Sequence, residues 1–374
     1  MQQPFNEIFG QNNAKEILNR IIKSTKIPHA FIFSGPEGIG KEYCALGLAK
    51  ALNERYIKKE ESEHTNKLIA AYTEPYIKYI FPLPRGKNET ESSGPLEKLS
   101  ADELQLIQDE ITKKIKNPYH KILLARAFNI KISSIRDIKK FLSLDFSDVP
   151  YRFIIISDAH LMNEEAQNAL LKALEEPPEG VIFILITPYP SLLRSTIVSR
   201  CWSINFQPLN NFDIKEILIK YYGIEDNTAE KIAPFSGGSV TYALRLIEHE
   251  FESLLEKTVF ILRYSFGRKY YSAMNEFSAY LSDGDSETII LLINMIIVWL
   301  NDIQKFRLGI NNYFFKGYVE TLEKFNKRFP EIELNSIVAK LEFLSANIQN
   351  NINLNLLVLN LVFELSALTS IMKQ

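Results

Sequence analysis

The sequence predicts an α/β domain built on a parallel sheet, followed by a small helical unit and an all-helical C-terminal region. Three observations carry this prediction. Residues 31–42, FIFSGPEGIGKE, run a short apolar strand into a glycine-rich loop. Two continuous apolar runs, Phe153–Ile156 and Val181–Ile186, flank a helical pattern, and strand-like runs stop after about Pro208. Strand, helix and strand repeating in this way describe a doubly wound sheet, whose ligand lies at the carboxyl ends of its strands.

Composition bounds the possibilities. A chain of 374 residues exceeds one ordinary core, so two or three domains are expected. With 46% apolar and 24% charged residues and a net charge of −2, it has no overall positive field for nucleic acid; such contact must be local or shared with partners. The absence of an aromatic-basic patch disfavours an autonomous DNA-binding module. Only Cys44 and Cys201 are present, neither beside a second thiol, which fits a reducing compartment and no structural zinc. The N-terminal MQQPFNEIFG lacks the order of a signal peptide, and the apolar run Ile289–Leu300 is too short to span a bilayer. The expectation is a cytoplasmic protein without membrane contact.

Taken in order, Phe31–Phe33 is the first strand, and Gly35, Gly38, Gly40 and Lys41 form the loop. In a G-x-x-x-x-G-K-[ST] loop, backbone N–H groups turn toward phosphates, the lysine reaches the β/γ oxygens, and the hydroxyl ligates Mg²⁺. Glu42 stands where that hydroxyl belongs. Cys44, Leu48, Ala51 and Leu52 then recur at helical spacing. Residues 54–128 form an insertion of shifted composition. Within it, 82–99 is expected to be an exposed loop with solvated Lys and Glu residues, and Ser100 with Glu103 caps a helix. A second helix carries Ile135, Ile138, Phe141 and Leu142 on one face. Phe153–Ile156 and Val181–Ile186 are strands buried on both faces; the helix between them starts at Asn163 or Glu164 and stops at Pro177-Pro178. Residues 251–374 carry apolar stripes, among them Ile352, Leu354, Leu356, Leu357, Leu359, Phe363 and Leu365, expected to exceed the needs of their own core.

HAFIFSGPEGIGK, NALLKALEEPPEGVIFILIT and STIVSRC, in this order, resemble the bacterial clamp-loader AAA+ family of DNA polymerase III, nearest to its delta-prime branch. The resemblance is specific over about residues 1–245. It implies an AAA+ P-loop domain (1–207), a helical lid (208–250) and a helical collar (251–374). It also implies partnership with other clamp-loader subunits, a sliding clamp and primed DNA in a hetero-oligomer.

In active members the acidic strand ends in Asp-Glu, whereas this chain has Ser157 and Asp158. Thr187 occupies the position of the family's first sensor residue, and Thr241 replaces an arginine of the lid. With Glu42, these departures fall on one function, so hydrolysis in the chain's own site is not expected. Binding of ATP or ADP in the degenerate site stays open, because Lys41 and the glycines survive. Ser199-Arg200-Cys201 is intact; in the family this arginine reaches a neighbour's γ-phosphate, a contact worth about 10³–10⁵ in rate in other nucleotide hydrolases. The alternative for Arg200 is a pair with a carboxylate of its own surface. His160 reads as structural rather than as a metal or acid–base residue, Arg194 as a lesser interface candidate, and Lys172 as either a contact to DNA or a neighbour or a solvated helix face; the zinc insertion of many relatives is missing. The rival functions are an active motor ATPase of the same family and an unrelated P-loop kinase.

Overall fold

The computed structural model describes residues 4–54, 76–90, 93–143, 150–348 and 353–369. The part of the insertion at 55–75, and Ile352, lie outside the described residues. The chain divides into two compact units: Met1–Asp213 with Ser239–Thr241, and Ile214–Gly238 with Tyr242–Gln374.

The first unit is a parallel sheet of β1 (Ala30–Ser34), β2 (Ile77–Ile80), β3 (Arg152–Ile156), β4 (Val181–Thr187) and β5 (Trp202–Asn205), in the order β2-β3-β4-β1-β5. The central strands are apolar throughout because both faces are covered. On one face Ala30, Ile32, Ile154, Ile156, Phe183 and Leu185 pack with Ile135, Ile138, Leu170 and Leu174. The latter come from two helices that follow α1 (Asn12–Lys23), α2 (Lys41–Asn53) and α3 (Ala101–Lys116), namely α4 (Ile132–Ser143) and α5 (Glu164–Glu175). The alternating residues Phe31, Phe33, Phe153, Ile155, Ile182 and Ile184 are equally buried, and α2 packs against β3 and β4. The register Ser34↔Thr187 brings two strand ends level, and the glycine loop leaves β1 at that edge and enters α2.

Within the insertion, Lys87, Glu97 and Lys98 of residues 82–99 are exposed as expected, but the segment is not exposed throughout. Phe81, Leu83, Leu99 and Ile107 form a small apolar cluster. Glu89, expected to be solvated, pairs with Lys131 at 2.7 Å with both side chains less than a tenth exposed. It also accepts from the Gly86 amide at 2.9 Å. Two charges that meet out of water can hold a loop that has few apolar residues of its own.

Among its described residues the second unit is helical, consistent with the AAA+ domain plus helical collar architecture. Its central helix, Ser286–Arg307, starts at Asp285, whose carboxylate caps Thr288. By length and composition this helix would suffice to cross a membrane, yet 61% of its apolar window is buried inside the chain, as in a core helix. Trp299 packs there against Phe266 and Phe325. Of the C-terminal stripe, Leu357 and Leu365 are buried, while Leu356 and Phe363 are exposed.

Asp302, fully buried on the same helix, accepts from the Phe314 and Phe315 amides at 2.7 and 2.8 Å and pairs with Lys305 at 3.0 Å. Asp302→Ala would orphan two amides and is expected to cost about 2 kcal/mol in urea unfolding. A loss below about 0.5 kcal/mol would show that the turn holds without them.

Candidate functional site

The glycine loop is built as a phosphate loop is. Gly38 has φ 67°, and a Cβ there would come within 2.7 Å of Thr241 Oγ1 and 2.8 Å of its backbone nitrogen, so only glycine allows this approach. Ser239 Oγ donates to the Glu37 carbonyl at 2.8 Å, fixing the loop from the same side. Gly40 precedes α2 in the left-handed region, and Lys41 and Glu42 occupy the helix's first turn.

The side chains of this loop point to partners inside the protein. Lys41, 6% exposed, donates to the carbonyls of Gly35, at 2.6 Å, and Pro36. Burial lowers its pKa to about 8, against the opposing pull of Glu37 and Glu42. Glu42 forms an ion pair with Lys114 and accepts from Ser157 Oγ. Burial by itself would raise the Glu42 pKa, but the Lys114 ammonium and the hydrogen bonds outweigh it and hold the carboxyl below its ordinary range. The hydroxyl and carboxylate expected at positions 42 and 157 are exchanged: the carboxylate of Glu42 is on the helix and the hydroxyl of Ser157 follows β3.

Lys114 arrives from α3, whose capping box of Ser100 and Glu103 starts the helix and whose buried side runs through Ile107 and Glu110 to Lys114. The chain then turns across the loop. Tyr119, 1% exposed, accepts from the Phe9 amide through its hydroxyl at 2.7 Å, and His120 Nε2 meets Glu110 at 2.9 Å. Lys121 reaches Glu37 at 2.7 Å and lies 3.9 Å from Asp158. Asp158 itself has φ 49°, and burial raises its pKa.

Lys41, Lys114 and Lys121 thus stand against Glu37, Glu42 and Asp158, a balanced set with no excess positive charge for a triphosphate. The cavity they line, closed by Pro118, Tyr119 and His120, measures about 40 Å³. Small-molecule sites occupy about 300–1,000 Å³. An ATP–Mg²⁺ complex therefore does not fit these residues: the lysine faces loop carbonyls, an ammonium sits on the carboxylate, and the volume is too small. Millimolar ATP with Mg²⁺ is expected to leave the melting temperature of the isolated chain unchanged; a saturable rise in a thermal-shift titration would contradict this closure.

The remaining candidates lie apart or are engaged otherwise. Thr187, fully buried at the end of β4, contacts His160 Nδ1 at 3.2 Å and accepts from the Tyr189 amide at 3.0 Å. Burial, then the Lys121 charge, lowers the His160 pKa to about 4, so the ring is neutral at pH 7 and stacks edge-on with Tyr189. Cys44 is buried behind the loop, with burial pushing its thiol up to about 12, and Cys201 is raised likewise. Among the described residues no group of three His, Cys, Asp or Glu side chains is placed to hold a metal. Arg200 pairs with Glu175 at 3.0 Å on the surface and donates to the Thr196 carbonyl at 2.9 Å. Arg194 pairs with Glu164 at 2.6 Å, also at the surface, and Lys172 is exposed. Sequence reasoning missed Lys114, Lys121 and Glu37. The available signal was a lysine on the stripe of Leu104, Ile107 and Ile111 in α3.

A protein-family model described as DNA polymerase III, delta subunit, matches residues 10–210, and one described as its C-terminal part matches residues 268–367. The DNA polymerase III subunit tau of Bacillus subtilis is 29% identical over 251 residues, which are 66% of this chain and 37% of that protein. The subunit delta' of the same organism is 27% identical over 213 residues, covering 56% of this chain and 51% of that protein. The chain thus spans about half or less of the length of these two relatives. A solved gamma subunit-related protein from Thermotoga maritima is 18% identical, with a TM-score of 0.38 over 95% of this chain and 99% of its own.

Proposed function

Because the chain belongs to the DNA polymerase III delta-subunit family, we propose that it is a non-hydrolysing clamp-loader subunit of the delta-prime type. In this role it joins other subunits in a cytoplasmic hetero-oligomer, helps place a sliding clamp on primed DNA, and offers Arg200 to the nucleotide of a neighbouring ATPase subunit. Support comes from one contrast: the chain's own loop is lined by a balanced set of charges, while the Arg200 guanidinium is partly exposed and held by a surface pair. Ser157 donates a hydrogen bond to one oxygen of Glu42 and the Lys114 ammonium holds the other, so this carboxylate is not free to order a catalytic Mg²⁺.

A motor ATPase is the second reading, favoured by the longer match to tau than to delta'. The two differ in what the isolated chain does and what the assembly needs. Partner ATPase subunits, clamp and primed DNA would be combined with and without this chain, and ATP-dependent transfer of clamp to DNA followed. Loading is expected to require the chain, and the chain alone is expected to show no Mg²⁺-dependent turnover. Loading without it would reject the subunit role; turnover by the isolated chain would install the motor reading.

A further inference from the structure

We propose that the Lys114 ammonium is a tethered cation standing in for a divalent metal at the loop, held in an oxygen cage that accepts a free cation once the side chain is removed. This goes beyond the absence of turnover and does not depend on the clamp-loader role.

The cage is formed by the Glu42 carboxylate, the Pro118 carbonyl at 3.3 Å and the His120 carbonyl, each accepting from Lys114 Nζ. Ser157 Oγ orients the carboxylate from its other oxygen. An ammonium has three N–H donors and no acceptor, and here it meets three oxygens. A carboxylate with backbone carbonyls is also the donor set of a hard cation such as Mg²⁺ or Ca²⁺. Lys114 is only 4% exposed, and a lysine is taken this far out of water only where its charge is matched.

The arrangement also explains why residues 117–121 lie over the loop. The ammonium is the last buried group of α3, and two of its three acceptors are carbonyls of the turn that follows. One ion therefore fastens helix, turn and phosphate loop together. In a nucleotide-binding relative the metal and its phosphates would have to arrive from solution to do this. Here the fastening cation is part of the chain itself.

The test compares thermal unfolding of the full chain as wild type, Lys114→Ala, and the double variant Glu42→Gln with Lys114→Met. Each is heated alone, with millimolar Mg²⁺ or Mn²⁺, and with propylammonium. Lys114→Ala leaves the three oxygens facing a void and a buried carboxylate unmatched, so its melting temperature is expected to fall by about 10 °C. Mg²⁺ or Mn²⁺ should restore most of that loss with saturation, while wild type and the double variant should not respond. A Lys114→Ala protein that melts like wild type, or that no cation rescues, overturns the proposal. Rescue by propylammonium with no response to either metal overturns it too, because the cage would then select an ammonium shape over a hard cation. If Lys114→Ala does not accumulate folded, the double variant is still expected to fold, since neither ion remains to be matched. Its failure as well would assign the fastening to the lysine stem and overturn the role of the charge.

Discussion

Replacing Arg200 with alanine is expected to lower ATP turnover of the assembled complex by about 10³-fold or more, the effect of removing an arginine finger. The isolated chain should meanwhile melt within about 2 °C of wild type. Both expectations rest on where the guanidinium sits. Its side chain is 36% exposed and its partner Glu175 50% exposed, so their 3.0 Å pair is screened by water and worth at most about 1 kcal/mol. Release from Glu175 is therefore cheap, and a phosphate offers the planar fork a more highly charged bidentate acceptor. Arg200→Lys keeps the charge but loses the fork, so it should recover only part of the turnover. Glu175→Ala removes the competing acceptor and should leave turnover at or above the wild-type level. Unchanged turnover in Arg200→Ala would reduce this arginine to a surface ion pair and remove the main support for its role in trans.

Legibility in the sequence followed burial. β1, β3 and β4 were readable because they are covered on both faces and so are apolar without interruption. β2, with IKYI, and β5, with WSIN, are the sheet's outer strands. Each is four residues long and partly exposed, too short and too polar to stand out from a loop. Helix α3 was legible from its capping box, a purely local device. The site divided in the same way. Glu42 and Ser157 could be placed by counting from the glycines and from the strand, since motif register is local. What closes the site comes from the insertion, and a lysine in a charged helix looks like solvated surface until its partner is known. Glu89 and Lys131 repeat the lesson: residues typical of an exposed loop meet each other inside. A charged side chain on an apolar stripe is the one local sign of such a pairing.

The direction in which Lys41 faces leads to a pH dependence opposite to that of a phosphate-gripping lysine. Its folded-state pKa is lowered from 10.5 to about 8, burial being the main cause. In the unfolded chain the amine returns to its ordinary value. Between these values the unfolded state binds more protons, so stability rises with pH. Below about pH 8 the folded protein carries the full cost of the buried charge, about 3 kcal/mol at roughly 1.4 kcal/mol per pKa unit. Lys41→Met has no proton to lose, and other titrating groups cancel in the comparison. The stability of wild type minus that of Lys41→Met should therefore climb by about 3 kcal/mol from pH 8 to pH 10.5 in urea unfolding. At pH 7 the variant loses charge-assisted hydrogen bonds to Gly35 and Pro36, worth about 1.5–3 kcal/mol each, which offset the cost of the buried charge, so the slope with pH and not the value at pH 7 carries the test. A lysine held by phosphate has its charged form favoured, and removing it would forfeit ligand-linked stability. A difference that stays flat or falls across this range would mean that Lys41 is solvated or faces an anion, and the loop would then be open to nucleotide after all.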